Sequence, residues 1–356
     1  MDDLIQRRPH LKDKILQKLE NGSLIKSREV SRMWQGLIDE KHYSWIHIVQ
    51  IPSILSAGNT YLHLAAKYRQ TAMFINIINE EDEKDPVNES GESPYLVACR
   101  AGSVRIIEFL FKKSEEFKID FNRIPTNNST PFRLACIGGN TELAELIMKH
   151  SLKLQIHSFG MNRFGTNAFH DACKLGNLDI VQMMIKNSAS TNNIELNAVD
   201  RENQTALHLA CDRKKPEVAK LLIEKASELK LDLNARARYS NMTAFQMACG
   251  SGLASVVKIM LSESSKFNFS GGFSLACKKG HINVVEMLIN KSEESPKFEI
   301  ITKDVDSALL YASRAMHIKI VEILMNKAGS LKLDLSGKQF GKTGVKMAQV
   351  PESDSE

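Results

Sequence analysis

Nowhere in the 356 residues do about 18 apolar residues run together, as a membrane-spanning helix requires. A secretory signal is missing too: MDDLIQRRPH has acids where such a signal has a positive region, and no apolar run follows. The expected compartment is therefore the cytoplasm or the nucleus, where thiols stay reduced. No charge of one sign is concentrated: 47 Lys and Arg face 42 Asp and Glu, spread along the chain without a long basic block. Electrostatic binding of nucleic acid needs clustered charge, so neither nucleic acid nor membrane is an expected partner. No His, Cys, Asp or Glu cluster has metal-ligand spacing, and no nucleophile stands beside a base in a recognisable motif. The sequence calls for no catalytic residue, metal or cofactor.

Cysteine is also scarce, but its placement is informative. The six thiols, Cys99, Cys136, Cys173, Cys211, Cys249 and Cys277, each directly follow an alanine. Ala98 to Ala135 is 37 residues, Ala135 to Ala172 another 37, and the next two steps, to Ala210 and Ala248, are 38 each. Ala276 follows after 28, and the series extends outward to Ala65, Ala312 and Ala348 at steps of 33, 36 and 36. Periods in this range signal stacked helical units, each burying its apolar face against its neighbours. The second helix keeps a fixed phase: apolar residues fall 8, 9, 11 and 12 positions after the alanine, as in Val218, Ala219, Leu221 and Leu222. Length variation must lie after it.

The variable stretches, FKIDFN at 117–122, IELN at 194–197 and LKLDLN at 229–234, alternate apolar and polar residues, which suits the arms of β-hairpins. Between Ala248 and Ala276 the arm is nearly absent, which predicts a shortened finger at SKFNFSGG. Gly102, Gly139, Gly176, Gly252 and Gly280 fall four residues after the alanine, where the first helix must end in a left-handed residue. Lys214 holds that slot in the fifth unit and predicts a strained turn there.

The segments GNTYLHLAA (58–66), NSTPFRLAC (128–136), NQTALHLAC (203–211) and NMTAFQMAC (241–249) resemble the ankyrin repeat, whose signature is T-P-L-H-x-A. The resemblance implies an all-α solenoid of stacked helix pairs with short β-hairpin fingers, eight repeats over 56–336, and a partial ninth repeat or C-terminal cap at 337–349. An acidic tail of residues 350–356 closes the chain. It also explains three decoys. His63, His170 and His208 share the signature histidine slot, Asn128, Asn203 and Asn241 start N-x-T triplets only because the repeat places a threonine there, and GKQFGKT at 337–343 lacks the first glycine of a phosphate-binding loop. The cysteine slot wants a small side chain between packed helices, so the six thiols are expected to be reduced and unreactive.

Residues 1–50 precede the array. Leu11, Ile15, Leu16 and Leu19 form one helical face, Leu24 and Ile25 open a second segment, and Val30, Trp34, Leu37 and Ile38 form a third, with Trp45 beyond. This order resembles the F-box, although the opening Leu-Pro pair is missing and Ser31 stands where cysteine is common. The resemblance implies docking onto a Skp-type adaptor of a cullin-RING (SCF-type) ubiquitin ligase through Leu11, Ile15, Leu16, Leu19, Leu24 and Val30. The other reading is a plain helical cap over repeat one.

Two functions follow. In the first, an F-box-like head joins an array that holds a target protein on its concave face and fingers; in the second, the array is an interaction scaffold unconnected with ubiquitin. In both, arginine and aromatic side chains on the fingers are the candidate contacts: Arg163, Phe164, Arg201, Arg236, Arg238 and Tyr239.

Overall fold

The computed structural model describes residues 56–331, apart from 127, 152, 155, 157–159, 192–194, 295–301 and 330. The F-box-like residues Leu11, Ile15, Leu16, Leu19, Leu24 and Val30, the 337–349 stretch and the acidic tail lie outside the described residues.

Two compact units are present. Among the described residues, the first takes in 56–138 together with 145–156; the second takes in 139–144 and 160–331. In the first, Tyr61–Lys67 (α1) pairs with Thr71–Glu80 (α2), and Pro94–Ala101 (α3) with Val104–Lys112 (α4), which is extended by the single turn Ser114–Phe117 (α5). Pro131–Ile137 (α6) packs on α3, and Thr141–Ser151 (α7) follows it. In the second unit the pairs are Ala168–Leu175 (α8) with Leu178–Thr191 (α9), and Ala206–Asp212 (α10) with Pro216–Glu224 (α11), extended by Ala226–Leu229 (α12). Ala244–Ser251 (α13) pairs with Ala254–Ser262 (α14), Gly272–Lys279 (α15) with Ile282–Glu294 (α16), and Thr302–Arg314 (α17) with Ile318–Asn326 (α18).

Within the second unit the inner helices form one layer, α8 on α10, α10 on α13, α13 on α15 and α15 on α17, and the outer helices α9, α11, α14, α16 and α18 form another. The alanine that marks each period sits where inner helices touch, and all of Ala65, Ala98, Ala135, Ala172, Ala210, Ala248, Ala276 and Ala312 are fully buried. Helices packed about 8–10 Å apart leave room only for small side chains at the point of contact. The six cysteines sit beside them, buried and in no disulfide. Burial pushes the Cys211 thiol up to about 12 and raises those of Cys99, Cys173, Cys249 and Cys277 as well. A thiol held protonated is neither nucleophile nor metal ligand.

The outer helices bury positions 8, 9 and 12 after the alanine, and also position 13, as in Phe111, Ile185, Ile223, Leu261 and Ile289. Position 11 lies at the edge, which is why Asn76 is tolerated there: it is exposed. Each Leu or Ile fully buried on this face stabilises the fold by about 1.5–3 kcal/mol.

The fingers correct one expectation, since no strand occurs among the described residues. The alternation in FKIDFN does report side-chain direction: Phe117, Ile119 and Phe121 are buried while Lys118 and Asp120 are exposed. The backbone, however, turns instead of running along a partner, because Lys118 is left-handed at φ 51° and Asp120 accepts at its own Oδ1 from the Asn122 amide at 3.0 Å. A carboxylate that satisfies the backbone two residues on replaces the ladder that a hairpin would have supplied.

Several inner helices are fixed locally at both ends. Thr60, Asn167, Thr205 and Thr243 form capping boxes with His63, His170, His208 and Gln246. At the other end Gly102, Gly176, Gly252 and Gly280 are left-handed, as their spacing predicts, and Lys214 takes the same conformation at φ 55°. Arg69 and Met316 do so in the first and eighth pairs, at φ 58° and 59°.

Candidate functional site

Three consecutive finger tips of the second unit carry the sequence candidates. In the first tip Asn162 Oδ1 accepts from the amides of Phe164 and Thr166 at 2.8 and 3.0 Å, and the Asn162 amide donates to the Thr166 carbonyl at 2.9 Å. The second repeats the device with Asp200, whose Oδ1 accepts from Glu202 and Gln204 at 2.9 and 2.8 Å. In the third the Ala237 amide donates to the Met242 carbonyl and the Asn241 amide to the Ala237 carbonyl, at 3.0 and 2.9 Å. Gly165, Asn203 and Asn241, each seven residues before the repeat alanine, are left-handed at φ 74°, 57° and 51°. Glycine and asparagine are the residues that enter this region at least cost. The N-x-T triplets at Asn203 and Asn241 are therefore products of turn geometry.

The tips are also joined to one another. Arg201 donates its amide to the Phe164 carbonyl at 3.1 Å, and Arg238 its amide to the Glu202 carbonyl at 2.6 Å. Asn203 adds a side-chain bond from Nδ2 to the Arg236 carbonyl at 2.7 Å. A row of turns fixed internally and to each neighbour can expose large side chains without losing its shape. Tyr239 is 79% exposed and Phe164 57%, and Arg163, Arg201 and Arg238 are exposed beside them. The Arg163 guanidinium lies 4.8 Å from the centroid of its neighbour Phe164, so both present as one amphipathic unit. Arg236 differs from the other candidates, because its Nη1 donates to the Asn241 carbonyl at 2.8 Å and holds the third tip closed. Beneath the second and third tips lies a groove of about 520 Å³, whose walls include Leu196, Val199, Leu207, Leu231 and Arg236.

Met161 and Val199, 42% and 39% exposed on the same tips, carry no signal in the repeat spacing. Of the tip-to-tip bonds, those from Arg201 and Arg238 are main-chain and leave no side-chain signature. The left-handed slot seven residues before the alanine was in the sequence, as the Gly or Asn common to positions 58, 91, 128, 165, 203 and 241.

The repeat histidines are structural. His63 Nε2 donates to the Glu92 carbonyl at 2.8 Å and its Nδ1 accepts from the Thr60 amide at 3.1 Å, a pattern that needs the neutral ring. His208 repeats it toward Met242 at 3.2 Å, whereas His170 Nε2 falls short of a normal bond to the Gln204 backbone. Burial holds all three below the usual histidine range, against smaller opposing contributions from the backbone bonds and nearby carboxylates. Among the described residues no group of three or more His, Cys, Asp or Glu is placed to hold a metal ion, and no helix is long and apolar enough to cross a membrane.

No curated protein matches this chain. Residues 116–195 and 191–270 each match the family model described as ankyrin repeats (3 copies), a span that contains all three tips. Residues 116–270 therefore carry the ankyrin-repeat pattern.

Proposed function

We propose that this protein is an adaptor that holds a target protein on the tips of the fourth, fifth and sixth repeats. The observation that supports it best is the exposure of Phe164 and Tyr239 with Arg163, Arg201 and Arg238 on turns bonded tip to tip. Ordering flexible side chains at an interface costs about 0.5–1.5 kcal/mol each, and a pre-formed row lowers that cost. The groove below the tips, lined by apolar and polar side chains alike, leaves room for a side chain of the target. Replacing Phe164, Arg201, Arg238 and Tyr239 together with alanine is expected to abolish target binding and leave the melting temperature unchanged.

A second element supports a narrower role. The F-box resemblance of residues 11–48 favours an adaptor that brings its target to a cullin-RING ubiquitin ligase, with Leu11, Ile15, Leu16, Leu19, Leu24 and Val30 against the Skp-type adaptor. Co-precipitation of purified adaptor with the intact chain tests this. If the adaptor is retained by a known F-box protein and not by this one, the ligase role fails and the scaffold role on the tips stands.

A further inference from the structure

A second surface lies at the opposite ends of the inner helices, in the seventh and eighth repeats. The turn from α15 to α16 and the turn from α17 to α18 share an edge, because α15 packs on α17 and α16 on α18, and His317 Nε2 donates to the Lys278 carbonyl at 3.2 Å. Lys278, Lys279, Arg314 and Lys319 are all exposed on this edge, and none has an ion-pair partner among the described residues. Residues 272–285 and 307–321 contain no acid at all. The nearest acids along the chain are Glu286 and Glu322, further into the outer helices, and Asp304 and Asp306 at the far end of α17. The Asp304 carboxylate accepts from the Gly271 amide at 2.7 Å.

Apolar side chains stand among these cations. Met316 is 64% exposed and Ile318 48%, both on the α17–α18 turn, and Tyr311 is 36% exposed with the Lys278 ammonium 5.1 Å from its ring centroid.

Helix stability does not account for the pattern. Cations at a helix C-terminus complement the macrodipole, which would serve for Lys278, Lys279 and Arg314. Yet α13 ends at Gly250, Ser251 and Gly252 with no cation and closes with the same left-handed glycine. Lys319 sits in the first turn of α18, where the dipole opposes a positive charge. Met316 in turn occupies a left-handed position that favours glycine, and holds a large apolar side chain in solvent there.

We propose that this edge binds an acidic protein segment that also carries large apolar side chains. Its carboxylates would pair with Lys278, Lys279, Arg314 and Lys319, and its apolar residues would cover Met316, Ile318 and the free face of Tyr311. Nucleic acid fits less well: it has no use for Met316 and Ile318, and the one exposed aromatic ring already carries a cation. The surface is independent of the finger tips, and failure at one leaves the other standing.

The test uses the full chain and a fluorescein-labelled peptide of Glu, Leu and Phe, read by fluorescence anisotropy. The comparison probes are the same peptide with Lys for Glu, phosphatidylcholine vesicles containing phosphatidylserine, and a single-stranded DNA oligonucleotide. The acidic peptide is expected to bind saturably and to weaken as salt rises. Affinity is expected to fall about tenfold or more in the combined Lys278→Glu, Lys279→Glu and Arg314→Glu variant, and also in the Met316→Ser, Ile318→Ser variant. All these side chains are exposed, so melting temperatures should hold; if a variant does not fold, the salt titration and the Lys-for-Glu peptide on the unaltered chain decide. No saturable binding of the acidic peptide, equal binding of the Lys-for-Glu peptide, undiminished binding by the folded variants, or binding of vesicles or DNA in its place would each overturn the proposal.

Discussion

The finger end and the turn end of the inner helices use the same device, a left-handed residue, and fill it differently. At the finger end the slot holds Gly58, Gly91, Asn128, Gly165, Asn203 and Asn241; at the turn end it holds glycines but also Arg69, Lys214 and Met316. The difference lies in what stands nearby. A Cβ on Gly165 would come 3.0 Å from the Arg201 amide nitrogen, and one on Gly58 3.1 Å from that of Glu89, so at these two positions backbone from the next tip closes the space, whereas at Gly91 the nearest atom is 3.6 Å away and asparagine fills the other three slots. At the turn end the nearest atoms belong to side chains: a Cβ on Gly176 would meet Lys215, and one on Gly252 would meet His281. A side chain can move aside where a backbone cannot. The end stitched from tip to tip is the one proposed to hold the target.

Several substitutions break or sharpen this contrast. The largest effect belongs to the core beneath the finger end: Phe245, buried in the first turn of α13 with its ring 4.9 Å from that of Phe269, should cost about 3–5 kcal/mol on replacement by alanine. Denaturant titration would show this as a lower midpoint with an unchanged slope. Gly165→Ala should destabilise by about 1–3 kcal/mol, because it meets both the positive φ and the neighbouring backbone. Equal stability of that variant and the native chain would remove the distinction between the two ends.

Acid should act through the finger end as well. Burial lowers His63, His170 and His208 below the value of 6.5 that they regain on unfolding. The unfolded chain therefore binds protons first as pH falls, so the stability held by the neutral rings is complete above about pH 6.5 and declines below it. Replacing the three histidines by glutamine, which can cap as Gln246 does, should flatten the melting temperature between pH 7 and about 5. Smallest, and of opposite sign, is Lys214→Gly at the turn end: removal of a strained Cβ should stabilise by about 1 kcal/mol and raise the thermal midpoint by a few degrees.

The helix pairs were legible in the sequence because burial repeats with the period. The alanine, the small residue after it and the apolar face of the outer helix recur wherever helices touch. Fingers were less legible. Alternation in FKIDFN marks which side chains are buried but cannot tell a strand from a sequence of turns, and the choice fell to Lys118 and Asp120. At the candidate site, Arg163, Phe164, Arg201, Arg238 and Tyr239 were found as residue types in the variable fingers, but no sequence signal separates them from Arg236, whose guanidinium closes its own turn. That distinction rests on a contact five residues away to a carbonyl.

The tips are the proposed place where a target is held. Its most direct test is quantitative mass spectrometry of the proteins retained from native cells by the intact chain and by the Phe164→Ala, Arg201→Ala, Arg238→Ala, Tyr239→Ala variant, with equal melting temperatures shown beforehand. A set of proteins retained by the intact chain and lost about tenfold or more in the variant, as removal of hot-spot side chains requires, is the expected result. Full retention of those proteins by the folded variant would contradict the account.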